Sequence, residues 1–242
     1  MNVLCIGNSF SENATVYLHQ IAKAAGEKLN VCNLYIGGCP LDKHYRNMMG
    51  DRKDYSLRYN GHTTGFMVSM EEALISRNWD VVTLQQASPK SYDAESYDPY
   101  IWELAEFVRQ FQPKAKLVIH QTWAYEQGSS RLTELAGYET PQAMFADVKA
   151  AYDKAAKTIE ADGLIPSGEM MLQLFEQGME GLYKDTFHAS HGLGQYALAL
   201  LWFRMLTGRS VADNSFSDFI EPVSAEDIAA VKACVDSYQP IF

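Results

Sequence analysis

An α/β fold on a parallel sheet is the arrangement the sequence predicts, from two observations. Short apolar runs alternate with amphipathic stretches along the 242 residues, the rhythm of successive βαβ units. Four of those runs end in glycine, amide or histidine clusters, as strands do where their carboxyl ends open onto a ligand site.

The elements follow in order. Residues 3–6 (Val-Leu-Cys-Ile) form the first strand, and 14–25 a helix that Gly26 stops. Residues 29–36 form the second strand, ended by Gly37-Gly38, and a helix is expected over 66–76. Residues 79–84 form the third strand, 100–111 a helix and 116–120 the fourth strand. A long amphipathic helix over 143–160 precedes a short strand at Leu164-Ile165. Residues 193–206 are apolar on nearly every side and predict a buried helix. Two long connections, 39–65 and 122–140, have no regular pattern but are rich in aromatics, and loops of that length commonly carry function. No repeat or composition break divides the chain, so a single domain over 1–242 is expected.

Bulk properties exclude several function classes. The formal net charge is −10 and the lysines and arginines are scattered, which argues against a nucleic-acid partner. Cys5, Cys32, Cys39 and Cys234 show no C-x-x-C spacing and read as reduced core residues. No run approaches the roughly 20 apolar residues that span a bilayer, so no membrane partner is expected. Only four apolar residues precede Gly7-Asn8-Ser9, too few for a secretory signal, so a cytoplasmic location is expected. Secretion or a periplasmic location stays open if a leader has been removed. The sequence leaves the oligomeric state open.

The strand ends carry the unusual residues: Gly7-Asn8-Ser9, Gly37-Gly38, Gln85-Gln86-Ala87-Ser88 and His120-Gln121-Thr122-Trp123, all on one rim. Glycines there let backbone N–H groups approach a ligand, and a serine at a helix start sits beside further unpaired donors. Ser9 and Ser11 are also candidate helix caps, with Glu12 three residues after Ser9 completing a capping pattern. Neither G-x-x-x-x-G-K-[ST] nor G-x-G-x-x-G follows the first strand, which argues against a phosphate loop.

Far downstream, Asp185-Thr186-Phe187-His188 leads into the buried helix. A carboxylate three residues before a histidine can accept a hydrogen bond from the ring and fix its tautomer, leaving the other nitrogen free as a base. With Ser9 on a neighbouring strand end, this supplies nucleophile, base and orienter. Asp185, His188 and His191, spaced by three, are alternatively candidate metal ligands, although no H-E-x-x-H or cysteine partner supports a metal and no cofactor is expected.

These blocks together, IGNSFSENA, YIGGCPL, VTLQQAS, HQTWA and DTFHAS…GQYALALLWF, resemble the SGNH (GDSL-like) hydrolase superfamily, in particular a bacterial branch with a GNSFS first block. The resemblance implies a three-layer α/β/α sandwich with a central five-stranded parallel sheet of flavodoxin-like topology. It also implies Ser9 as nucleophile, His188 as general base and Asp185 as its orienting acid. The oxyanion hole would comprise the N–H groups of Ser9 and Gly38 and a side-chain amide after the third strand. Relatives carry G-x-N-D at that third block where this chain has Gln85-Gln86. Period-two alternation lets one of the pair face the site, and Gln86 is preferred with Gln85 as alternate. Relatives often have Asp-Ser where this chain has Asn8-Ser9.

The implied activity is that of a carboxylic ester hydrolase acting through an acyl-serine intermediate on a small-molecule or glycan ester. Tyr92, Tyr97, Tyr100, Trp102, Trp123 and Tyr125 follow the third and fourth strands, and flat aromatics with polar edges suit sugar faces. An O-acetyl carbohydrate is therefore the expected substrate, with Trp123, Tyr125, His120 and Asn8 as binding residues. Two alternatives remain at this level: a catalytically silent carbohydrate-binding relative, and a metal-dependent hydrolase using Asp185, His188 and His191.

Overall fold

A computed structural model describes residues 1–242. Five parallel strands form the centre of the sheet: β1 (Asn2–Gly7), β2 (Asn30–Tyr35), β5 (Val81–Leu84), β6 (Lys116–His120) and β7 (Gly163–Ile165). Their spatial order β2-β1-β5-β6-β7 is flavodoxin-like. The sheet has seven strands rather than five, because β3 (Tyr55–Tyr59) and β4 (His62–Val68) add an antiparallel hairpin to the free edge of β2.

Side-chain alternation along the strands divides the core. Val3 and Cys5 of β1, with Val31, Val81, Val118 and Ile165, face one layer. Leu4 and Ile6, with Leu34, Val82, Leu84 and Ile119, face the other. The first layer holds α1 (Ser9–Thr15), α2 (Leu18–Ala24), α7 (Ser167–Glu176), α8 (Leu193–Thr207) and α9 (Ala225–Asp236). The second holds α3 (Leu41–Met49), α4 (Met70–Ile75), α5 (Tyr100–Phe111) and α6 (Pro141–Thr158). With strands buried on both faces, near-continuous apolar runs are what such a sheet requires. α8 has no polar face because it is enclosed by the sheet, α1, α2 and α9, and of its fifteen residues only Arg204 and Thr207 escape full burial. All four cysteines are free and buried.

Three expectations need correction. The first helix is two short ones, α1 and α2, and it begins at Ser9 rather than residue 14. The helix expected over 66–76 is confined to Met70–Ile75, since Phe66 lies in β4; Ser69 and Glu72 form a reciprocal capping box that fixes where it starts. The first long connection is structured, holding α3 and the hairpin. Asn60 (φ 50°) and Gly61 (φ 84°) turn that hairpin in the doubly left-handed conformation for which Asn-Gly is the favoured pair. Gly61 is also forced by space, because a Cβ there would lie 2.4 Å from the Val16 carbonyl oxygen. No helix is long and apolar enough to cross a membrane.

Candidate active site

The carboxyl ends of β1, β2 and β5 meet the loops before α6 and α8 around an open cleft of about 330 Å³. Its lining includes Asn8, Ser9, Gly37, Gly38, Ser88 and His188.

The chain leaves β1 through Asn8, whose extended backbone (φ −142°) ends the strand. Asn8 rather than Ser9 or Ser11 caps α1: its Oδ1 accepts from the Phe10 N–H at 3.0 Å. Glu12 completes no capping box and pairs instead with Arg58. Ser9 is thus the first helical residue, with its hydroxyl free for other partners. Ser9 Oγ lies 2.8 Å from His188 Nε2, across 179 residues of sequence. On the far side of the imidazole, Asp185 Oδ2 is 2.8 Å from Nδ1, and Asp185 Oδ1 accepts from the His188 backbone N–H at 2.8 Å. Partial burial pushes the Asp185 carboxyl pKa up, but the bonds from the His188 ring and backbone outweigh it and hold the carboxyl below its usual range.

The His188 loop is tied down on three sides. The Ala189 N–H donates to Asn13 Oδ1 of α1, Trp123 Nε1 donates to the Phe187 carbonyl at 2.8 Å, and the Glu126 N–H donates to the Thr186 carbonyl. Thr186 takes a left-handed φ of 73° between acid and base, which lets Asp185 fold back onto His188.

Two backbone donors of cleft-lining residues have no protein acceptor. The Ser9 N–H is an unpaired donor of the first turn of α1, and the Gly38 N–H belongs to a turn whose φ of +61° glycine adopts without strain. The expected third donor does not reach the cleft. Gln86 is fully buried, its amide nitrogen donating to the Ser96 carbonyl and hydroxyl while its oxygen accepts from the N–H groups of Leu41 and Ala87. Gln85 is also buried: it donates to Asn8 Oδ1 at 2.8 Å, and its oxygen lies 2.8 Å from His120 Nδ1. The pair ties the site together from behind rather than lining it.

The expected sugar-binding residues are mostly redistributed. Of the four, only Asn8 lines the cleft, and its side chain is spent on Phe10, Gln85 and the Cys39 carbonyl. His120, Trp123 and Tyr125 are fully buried. Trp123 stacks on Phe10 at 4.2 Å, Tyr125 donates to Ser88 Oγ, and burial lowers the His120 pKa to about 3. Tyr97 is buried against Tyr152, and Tyr100 packs on Tyr45. The aromatics that do line the cleft are Phe10, Tyr35 and Phe187. Together with Pro89 and Arg131, sequence reasoning missed them, whereas Ser88 belongs to the strand-end cluster it singled out; the aromatic-rich connection 122–140, which places Arg131, was the available signal. The alternative metal arrangement is not assembled, since His191 turns to Lys184 and Gln195 and no three His, Cys, Asp or Glu side chains converge.

Residues 2–236 match the family described as Domain of unknown function (DUF4886). A DUF4886 family protein from Bacteroides uniformis is 30% identical with a TM-score of 0.88, over 98% of this chain and 93% of that one. A proposed SGNH hydrolase from Slackia heliotrinireducens is 24% identical with a TM-score of 0.61, over 84% of this chain and 97% of its own. An acetylxylan esterase from Geobacillus stearothermophilus is 14% identical with a TM-score of 0.50, over 84% of this chain and 90% of its own. No curated protein matches this sequence. The matched residues and the shared architecture place this chain in the DUF4886 family, with the fold of the SGNH hydrolases.

Proposed function

We propose that this protein is a serine esterase that removes short acyl groups, with O-acetylated carbohydrate as its substrate class. The observation that carries the reading is the line of contacts Ser9 Oγ, His188 Nε2, His188 Nδ1 and Asp185 Oδ2, with 2.8 Å at each of the two steps, at the floor of an open cleft.

With Asp185 accepting from Nδ1, His188 presents Nε2 as the base. It takes the Ser9 proton as the oxygen attacks the ester carbonyl carbon, and the carbonyl electron pair moves onto oxygen. That oxygen meets the Ser9 and Gly38 N–H groups, each worth roughly 3 to 4 kcal/mol of transition-state stabilisation for a well-aimed donor. Collapse breaks the bond to the alcohol oxygen, which receives the proton from His188, and an acyl-Ser9 remains. Water, deprotonated by the same nitrogen, then releases the acid and restores the serine. Asp185 stays ionised throughout and stabilises the imidazolium. A cleft of about 330 Å³ suits a small acyl group, and an acetylxylan esterase is among the proteins of the same fold.

The test is hydrolysis of p-nitrophenyl acetate by wild type and Ser9→Ala, with labelling by a fluorophosphonate probe. The variant is expected to lose turnover at least 1,000-fold and all labelling, on the order of the loss when a serine triad is dismantled. Equal turnover by the two proteins would overturn the assignment of the nucleophile. A wild type that binds acetylated sugar without labelling or turnover would make the protein a silent binder.

A further inference from the structure

Arg131 opens a π-helical turn (Arg131–Leu135) in the second long connection and lines the cleft that holds Ser9 and His188. It is the only lysine or arginine in that lining. Its guanidinium carbon stands 3.8 Å from the centroid of the Phe187 ring and 5.6 Å from that of Tyr125. It joins none of the chain's ion pairs. Glu134 shares an adjoining outer cavity with it but stays beyond ion-pair distance. Stacking on aromatic faces, with the Tyr125 hydroxyl beside it, holds the planar fork in place while leaving most of its N–H donors for another partner. A lone cation in the cleft of a chain with net charge −10 is a specific local feature.

The position also says which part of an ester it would meet. The Phe187 ring lies against the imidazole of His188, the centroids 3.8 Å apart and the planes tilted by 38°, so Arg131 is one ring away from His188. The imidazole must deliver its proton to the leaving oxygen, which puts the alcohol portion on that side. Gly38, whose N–H is free, lies in the turn after β2 and in the same lining. Resting on the serine-esterase reading above, we infer that Arg131 binds a carboxylate on the alcohol portion, making the substrate an acetyl ester of an acidic sugar of the uronate type. One guanidinium matches one carboxylate in charge and in fork geometry, whereas a phosphate dianion would call for a second cation.

The experiment compares kcat/KM for three matched monoacetyl methyl glycosides: the glucuronoside, the glucoside and the glucoside 6-phosphate. Wild type is expected to favour the glucuronoside about 10- to 100-fold over the glucoside, the range of a charge-assisted hydrogen bond, chiefly through KM. Arg131→Gln should abolish that preference and Arg131→Lys should retain part of it. A wild type without the preference, a higher kcat/KM on the phosphate, or an Arg131→Gln that still discriminates would each overturn the inference. Because the readout is a ratio between substrates, it stands apart from the Ser9→Ala result, which alone decides the nucleophile.

Discussion

Replacing Gln85 with leucine probes the buried link behind Ser9. The side chain is 1% exposed, donates to Asn8 Oδ1 and accepts from His120 Nδ1, each at 2.8 Å. With the amide nitrogen turned to Asn8, the glutamine oxygen requires the His120 proton on Nδ1, and Nε2 is left bare and unpartnered. In Gln85→Leu, Asn8 Oδ1 keeps its bond from Phe10, so the orphan is the His120 Nδ1–H. A buried donor without a partner costs about 1–3 kcal/mol, so a loss of about 2 kcal/mol is expected by urea denaturation. Adding His120→Phe removes the orphan, and its ring can keep the edge contact that His120 makes with Trp202 at 4.8 Å. The double variant should therefore be more stable than Gln85→Leu alone, with a coupling energy of at least about 1 kcal/mol. Additive losses, or a Gln85→Leu within about 0.5 kcal/mol of wild type, would refute the view that this amide links His120 to the Ser9 turn.

The pH dependence of stability follows from two buried histidines. Burial lowers both His120 and His44 to about 3, His44 with added repulsion from Lys43. Against about 6.5 in the unfolded chain, the unfolded state takes up these protons first as pH falls. Stability should be flat above about pH 6.5 and drop by about 1.4 kcal/mol per pH unit for each histidine down to about pH 3, with His120→Phe halving the slope; a flat profile between pH 7 and 5 would contradict this. Asp185, Asp162 and Glu72 are held below their usual carboxylate values, so their losses set in below about pH 5 and leave the interval from about pH 6.5 to 5 to the histidines. In Asp185→Asn the amide cannot stabilise the imidazolium as a carboxylate does, and kcat should fall roughly 10²- to 10⁴-fold with KM little changed; a loss under about threefold would remove Asp185 from its proposed role.

The parts of the fold set by periodicity were legible. The strand ending at His120 and the buried helix ending near Thr207 announce themselves because nearly all their side chains share one environment, closed and largely apolar. The hairpin was not read from the sequence: Asn60-Gly61 is a favoured turn pair, but β4 is exposed along most of its length and carries no alternating apolar pattern that would mark a strand beside it. At the site, Ser9, Asp185 and His188 were readable because their chemistry is tied to fixed places at strand and helix ends. The orientation of Gln86 was not, since it depends on Ser96, which a separate helical turn (Ala94–Tyr97) brings beneath it. Trp123 and Tyr125 were assigned to ligand because the sequence shows an aromatic after a strand but not the second layer of side chains, here Phe10, Phe187 and Ser88, that buries it.

The 179-residue separation between the hydroxyl and the imidazole has a consequence for synthesis. The first helix leaves the ribosome with its serine long before the histidine is translated, and the loop bearing that histidine is anchored partly by Asn13, from the same early helix. A nascent polypeptide therefore cannot assemble this hydroxyl–imidazole pair until His188 has been translated, and neither can a fragment that ends before that residue. Whatever reactivity the pair confers arrives only once both ends of that separation have been made.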